Sequence, residues 1–186
     1  MLITPPLPFG GYLLMERIGT GGTAEIFRAV RRGRHPGEKP VAVKRLLPHI
    51  ARDAKICALL QREVGALQRI EHPNVVQLID HGQQHGLPYL VLELVDGCTL
   101  RQLLNARAAG GGEQVGLPVC IALWLAREIA RGLAAAGQQG IVHRDISPPN
   151  IQVTASGDVK ILDFGIARVE GLVQTTHGGA LRGKWS

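Results

Sequence analysis

A chain of 186 residues with 45% hydrophobic and 19% charged side chains has a globular composition, which excludes a disordered or fibrous protein. The net charge of +6 would suit a polyanion, but Lys and Arg are scattered apart from Arg31, Arg32 and Arg34, and only 4% of residues are aromatic, so nucleic acid is not expected as a partner. Three cysteines, Cys57, Cys98 and Cys120, lack CxxC spacing, which argues against a disulfide framework or a zinc site and fits a reducing, cytoplasmic compartment.

Residues 1–11 read as an N-terminal tail, with neither the basic nor the apolar region of a signal peptide. Strands are predicted over residues 25–30 and 41–44, joined by a Gly/Pro/charged connector at 31–40. A helix follows, with Ile56, Leu59, Leu60, Ala66, Leu67 and Ile70 at helical spacing, ending near His72-Pro73. Short strands come next near 75–80 and 89–94. The run 99–108 looks helical, 109–118 is a Gly-rich loop, and 117–137 is a second long helix. That helix contains Arg127, Glu128 and Arg131 and is too interrupted to span a bilayer. Strands at 151–154 and 159–162 flank the turn residues Ser156-Gly157-Asp158. The pattern is an α+β chain in two lobes, with a hinge near 93–97.

Four motifs carry chemistry. In Gly19-Thr20-Gly21-Gly22-Thr23-Ala24-Glu25-Ile26 the glycines allow a tight turn whose N–H groups can approach phosphate oxygens. A dinucleotide-binding turn would open a helix, whereas β-type residues follow here; an ordinary glycine turn is the plainer alternative. In Val41-Ala42-Val43-Lys44 the strand period places Ala42 and Lys44 on one face. A small residue beside a lysine would let a flat base lie close while the ammonium reaches phosphate; a solvated strand lysine is the plainer alternative. Glu63 sits on or beside the apolar stripe of its helix, where an unpaired charge is costly. Lys44 could compensate it, or Glu63 could pair with neighbours on the solvent side. Finally, Asp145 and Asn150 lie five apart in His143-Arg144-Asp145-Ile146-Ser147-Pro148-Pro149-Asn150, and Asp163-Phe164-Gly165 follows. One loop can thus hold a base and a metal ligand, and Asp163 adds a second hard oxygen for Mg²⁺.

Together, in this order, these motifs resemble the protein kinase family, and the wording of the loops is similar to its bacterial Ser/Thr members. The resemblance implies a two-lobed, kinase-like α+β fold, with a lobe at 12–95 and a partial second lobe at 96–186. It also implies an ATP and Mg²⁺ site. Ile18, Gly19, Thr20, Gly21, Gly22, Thr23, Ala24 and Ile26 would cover the phosphates. Ala42, Leu92 (the gatekeeper position), Glu93, Val95 and Gln152 would surround the base. Lys44 would hold the phosphates, Glu63 would orient Lys44, Asp145 would accept the hydroxyl proton, and Asn150 and Asp163 would bind metal. The partner would be a protein offering Ser or Thr, with autophosphorylation at Thr175 or Thr176.

The sequence departs from the family pattern at several places. Ala24 replaces a third glycine. Gln152 stands where an apolar side chain usually lies under the base. Ser147 occupies a position usually held by lysine, while Lys184, after Gly183, occupies one usually held by threonine; against the family pattern the two are exchanged, which would make Lys184 the cation near the transferring phosphate. The chain stops at Ser186, before an Ala-Pro-Glu motif and the large helical region expected beyond it. This makes a non-catalytic, pseudokinase-like fragment the alternative reading and predicts poor stability for the isolated chain, whose apolar helix faces would lack partners.

Overall fold

The computed structural model describes residues 2–33, 38–109 and 116–164. Its first part is an antiparallel six-stranded sheet ordered β1-β2-β3-β4-β6-β5. The strands are β1 (Leu2–Phe9), β2 (Tyr12–Thr20), β3 (Ala24–Arg31), β4 (Val41–Leu46), β5 (Leu78–Gln84) and β6 (Leu87–Glu93). Helix α1 (Ala54–Leu67) lies between β4 and β5 in the chain. The second part has a three-stranded sheet, β7 (Gly97–Thr99), β8 (Ile151–Thr154) and β9 (Val159–Ile161), with helices α2 (Leu100–Ala109) and α3 (Val119–Gln138). This is the two-part α+β arrangement the sequence predicts.

Strand alternation sorts the two faces of the first sheet. Val41 and Val43 point into a cluster with Phe9, Tyr12, Leu14, Phe27, Ala29, Tyr89 and Val91. On the opposite face, Ala42, Leu90 and Leu92 join the larger core with Ile56, Leu60, Val64 and Leu67 of α1. That core continues to Leu125 of α3 and to Ile151, Val159, Ile161 and Phe164.

Two expectations need correction. Residues 2–9, read as part of a tail, form the edge strand β1. Its prolines are tolerated because an edge strand need not donate on its outer side, and the register shift between Leu2 and Leu7 takes up Pro5 and Pro6. Phe9 is buried and meets the Tyr89 ring edge-on, with centroids 5.2 Å apart. Helix α1 ends at Leu67 rather than near Pro73. The chain leaves it through tight turns, Arg69 N–H to the Ala66 carbonyl and Ile70 N–H to the Leu67 carbonyl, which keep Ile70 in the core outside the helix.

Candidate active site

The glycine-rich segment is a β2–β3 hairpin. Thr20 faces Glu25, and the Gly21 N–H closes the turn on the Ala24 carbonyl at 2.9 Å. Ala24 is buried, which explains why a small side chain suits this place. Ile18 is exposed and Ile26 packs against the larger core, opposite Lys44 in the β3–β4 register. Glu25 pairs with Arg17 at 3.1 Å and Arg45 at 2.8 Å, tying the base of the hairpin to β4.

Lys44 is the centre of the site. Its Nζ donates to Glu63 Oε1 at 3.2 Å and to Asp163 Oδ1 at 2.8 Å. Three distant parts of the sequence therefore converge on one ammonium. Glu63 is 3% exposed, so the inward reading of this carboxylate holds and the solvent-side alternative does not. Burial alone would depress the Lys44 pKa; the carboxylates of Asp163 and Glu63 outweigh it and hold the group above the usual lysine value. Burial pushes Glu63 up, with Lys44 opposing. Lys44 pulls Asp163 below the usual carboxylate range, against burial.

The loop 143–150 is set by its own hydrogen bonds. The Asp145 N–H donates to His143 Nδ1 at 3.3 Å, and Arg144 adopts a left-handed backbone, φ 66°. Asn150 Nδ2 donates to the Asp145 carbonyl at 2.9 Å and to its carboxylate Oδ2 at 3.2 Å. The Asn150 amide nitrogen is turned to Asp145, so its Oδ1, on the other side of the amide, faces elsewhere as a hard oxygen acceptor. The Leu162 N–H donates to the Asn150 carbonyl at 2.9 Å, which sets Asn150 beside the segment carrying Asp163. His143 is buried against Phe164 with ring centroids 4.7 Å apart, and burial lowers its pKa, favouring the neutral imidazole. Among the described residues no group of three or more His, Cys, Asp or Glu converges as a metal cage. An amide oxygen and a carboxylate fit Mg²⁺, which takes few protein ligands and completes its shell with water and phosphate.

Ala42 and Leu92 face each other across the β4–β6 register. The Glu93 N–H donates to the Gln77 carbonyl, and the Glu93 carboxylate accepts from the Gln77 N–H and from Lys160. Sequence reasoning passed over Gln77 and Lys160; the strand position of Lys160, level with Gln152 across β8–β9, was the available signal. Gln152 Nε2 donates to the Val95 carbonyl at 2.8 Å. Gly165, Thr175, Thr176 and Lys184 lie outside the described residues.

Residues 12–177 match the protein kinase domain family. The chain is 34% identical over 186 residues to the tyrosine-protein kinase MasK of Myxococcus xanthus, covering 96% of this chain and 28% of that protein. It is 38% identical over 168 residues to the probable serine/threonine-protein kinase SCO3848 of Streptomyces coelicolor, covering 87% of this chain and 23% of that protein. For the serine/threonine-protein kinase PknL of Mycobacterium tuberculosis the identity is 34% over 174 residues, covering 92% and 41%. The crystal structure of the PknI kinase domain from Mycobacterium tuberculosis matches with a TM-score of 0.75 at 29% identity, over 89% of this chain and 64% of that one. The chain thus spans less than half the length of these curated relatives and about two thirds of that kinase domain.

Proposed function

The chain belongs to the protein kinase family, and on that premise we propose that it binds Mg·ATP beside Lys44 and that the protein carrying it phosphorylates Ser or Thr hydroxyls of proteins. The observation that supports this most is the double ion pair of Lys44 with Glu63 and Asp163. A solvated strand lysine has no need of two carboxylates, one of them buried. A lysine that must present its charge to phosphate does need to be held.

Each residue has a task in this reading. Lys44 orients the phosphates and Glu63 keeps Lys44 extended. Asp145, its carboxylate steadied by Asn150, takes the proton of the attacking hydroxyl. Asn150 Oδ1 and Asp163 are the oxygens that would hold Mg²⁺, which when bound neutralises charge on the transferring phosphoryl group. The hairpin 19–26 covers the phosphates with backbone N–H groups. Thr175 or Thr176 as a phosphosite near Arg144, and Lys184 exchanged with Ser147, belong to the same proposal, as do lobe boundaries at 12–95 and 96–186. Three cysteines without pairing motifs favour the cytoplasm. Among the described residues no helix is long and apolar enough to cross a membrane.

The test is phosphoryl transfer from labelled ATP by the protein and its Asp145→Asn and Asp163→Asn variants, with phosphoamino-acid analysis of the product. Asp145→Asn should lower kcat about 100-fold or more, the usual scale of general-base loss. Asp163→Asn should raise the Mg²⁺ requirement. Two of the relatives above are named for Ser/Thr and one for Tyr, so the amino acid recovered decides that point directly. Unchanged transfer in both variants would refute the roles, and nucleotide binding without transfer would mark a pseudokinase.

A further inference from the structure

Lys44 and Arg45 are neighbours on β4, and strand alternation sends them to opposite faces of the sheet. Lys44 turns to the carboxylates of Glu63 and Asp163. Arg45 turns the other way and is braced there by one carboxylate and two rings. Its Nη2 donates to Glu25 Oε2 at 2.8 Å. Its guanidinium carbon lies 4.9 Å from the centre of the Phe27 ring and 5.3 Å from that of Phe9. Phe27 stands on the adjacent strand, but β2 and β3 both separate Phe9 from β4 in the sheet. Phe9 reaches Arg45 because the sheet coils until the turn after β1 meets β6. There Phe9 packs on Tyr89, the Cα partner of Arg45 across β4–β6. Gly10 in that turn leaves room for the Tyr89 hydroxyl, since a Cβ would come within 2.5 Å of it.

Glu25 is where this brace touches the glycine-rich hairpin. Its Cα partners are Thr20 on one side and Arg45 on the other. Arg17 supplies a second cation at 3.1 Å. The bond from Arg45 does most to hold the Glu25 carboxyl below the usual glutamate range, with burial opposing and Arg17 assisting. The residues flanking Glu25 turn to the Lys44 face: Ala24 is buried in the larger core, and Ile26 is the Cα partner of Lys44. Two backbone bonds close the tip, from the Gly21 N–H to the Ala24 carbonyl and from the Leu47 N–H to the Thr23 carbonyl. The Glu25–Arg45 pair adds a charge-assisted bond at its root. Where Glu25 stands therefore sets where the hairpin stands relative to Lys44.

We propose that Arg45 is a positioning residue: braced by Phe9 of the N-terminal strand, it fixes Glu25 and so orders the hairpin 19–26 beside Lys44, which strengthens phosphate binding there. The link to phosphate rests on the ATP-binding reading above; the ordering of the hairpin does not. A loop ordered in advance loses less freedom when its ligand arrives, so loosening it weakens affinity.

The test compares the wild-type protein with Arg45→Met, Arg45→Lys, Glu25→Gln and Phe9→Leu, by amide hydrogen exchange and by equilibrium binding of Mg·ATP. Arg45→Met and Glu25→Gln should each speed exchange over residues 19–24 by about fivefold and weaken Mg·ATP by about as much, the scale of one partly exposed ion pair. Exchange in β6 should stay as it is, because the loosening is local. The double variant should be no worse than either single one, since both remove the same bond. Arg45→Lys keeps a cation and should retain most of the wild-type behaviour. Phe9→Leu keeps an apolar side chain without the ring and should cost about twofold, the scale of one cation–π contact. Glu25→Gln, close to isosteric, carries the test should Arg45→Met fail to fold. Unchanged hairpin exchange in Glu25→Gln, or β6 exchange that speeds up alike, makes the pair ordinary packing and overturns the inference. Additive losses in the double variant also overturn it, and an inert Phe9→Leu overturns the part given to the N-terminal strand. Faster hairpin exchange with unaltered Mg·ATP affinity overturns the link to binding. A wild type that binds no Mg·ATP while its hairpin responds as described refutes the ATP reading and leaves the brace standing.

Discussion

Replacing Lys44 by Met keeps the length of the side chain and removes its charge. In the native site the ammonium lies 3.2 Å from Glu63 and 2.8 Å from Asp163. The two carboxylates respond differently to its loss. The Asp163 side chain is 39% exposed and can turn to water, whereas the Glu63 side chain is 4% exposed and cannot. Burial already pushes Glu63 up, and without Lys44 nothing opposes it. Glu63 then takes a proton, because neutralising it costs less than burying its charge. Against an ordinary glutamate pKa of about 4.3, that proton costs at most about 3.7 kcal/mol at pH 7 and at most about 1 kcal/mol at pH 5, since Glu63 is already pushed up with Lys44 in place. A carboxyl with a raised folded pKa destabilises increasingly as pH climbs above its unfolded value, so the penalty must grow from pH 5 to 7. Lys44, with its pKa above normal, titrates beyond this window, and Asp163, with its pKa below normal, titrates beneath it. Urea unfolding of wild type and Lys44→Met at both pH values measures the difference. The double variant Lys44→Met with Glu63→Gln should recover most of the loss at pH 7. A penalty equal at the two pH values, or one that Glu63→Gln leaves in place, would refute the argument.

Two further outcomes follow from the packing. The chain has two tyrosines, Tyr12 and Tyr89. Burial, then the 3.0 Å hydrogen bond to Asp80, pushes Tyr12 up to about 12, and burial also raises Tyr89. Stability from these phenols is present below pH about 10 and is lost as pH rises through their folded values. Near-ultraviolet titration of the folded protein should therefore show little tyrosinate at pH about 10, with the band appearing on adding denaturant; half-ionisation in the folded state would contradict these environments. In α3, a Cβ at Gly132 would come within 2.8 Å of Ile161 Cδ1 and 3.0 Å of the Asn74 carbonyl, whereas at Gly137 it would meet nothing within 4 Å. Gly137→Ala should stabilise by up to about 1 kcal/mol of helix propensity. Gly132→Ala should destabilise, because overpacking of about 1–3 kcal/mol exceeds that gain. Unfolding midpoints that move in the same direction for both would count against this packing.

The sequence spoke most clearly where period and chemistry coincide. Val41, Ala42, Val43 and Lys44 alternate, and the structure divides them between the two faces as the period requires. Glu63 could be connected to Lys44 because a carboxylate on an apolar stripe demands a cation. β1 was hidden because Pro5, Pro6 and Pro8 are turn signals in any local reading, and only pairing with β2 reveals them as an edge. Leu67 as the end of α1 was hidden because Ile70 keeps helical spacing after the helix has stopped; the core reads burial, not hydrogen bonding. Gln152 could be recognised as out of place, but its partner could not, since a bond to a backbone carbonyl leaves no mark on the residue that supplies it.

A buried asparagine bears on how Asp163 comes within reach of Lys44. Asn74 is 5% exposed and lies between α1 and β5. Its Nδ2 donates to Glu128 of α3 at 3.1 Å and to the Val159 carbonyl of β9 at 2.9 Å. Its own carbonyl accepts from the Ile161 N–H, and the Ile161 carbonyl accepts from the Val76 N–H, both at 2.9 Å. Gly132 allows this approach, since a side chain there would collide with Asn74 and Ile161. The segment leaving α1 is thus fastened to β9 through both side chain and backbone, and Asp163 stands only two residues beyond β9. Glu63 reaches the joint from one side along α1, and Asp163 from the other. The two carboxylates that grip Lys44 are therefore held in register from behind, by hydrogen bonds in the dry interior where they are strongest, as well as from in front by the lysine.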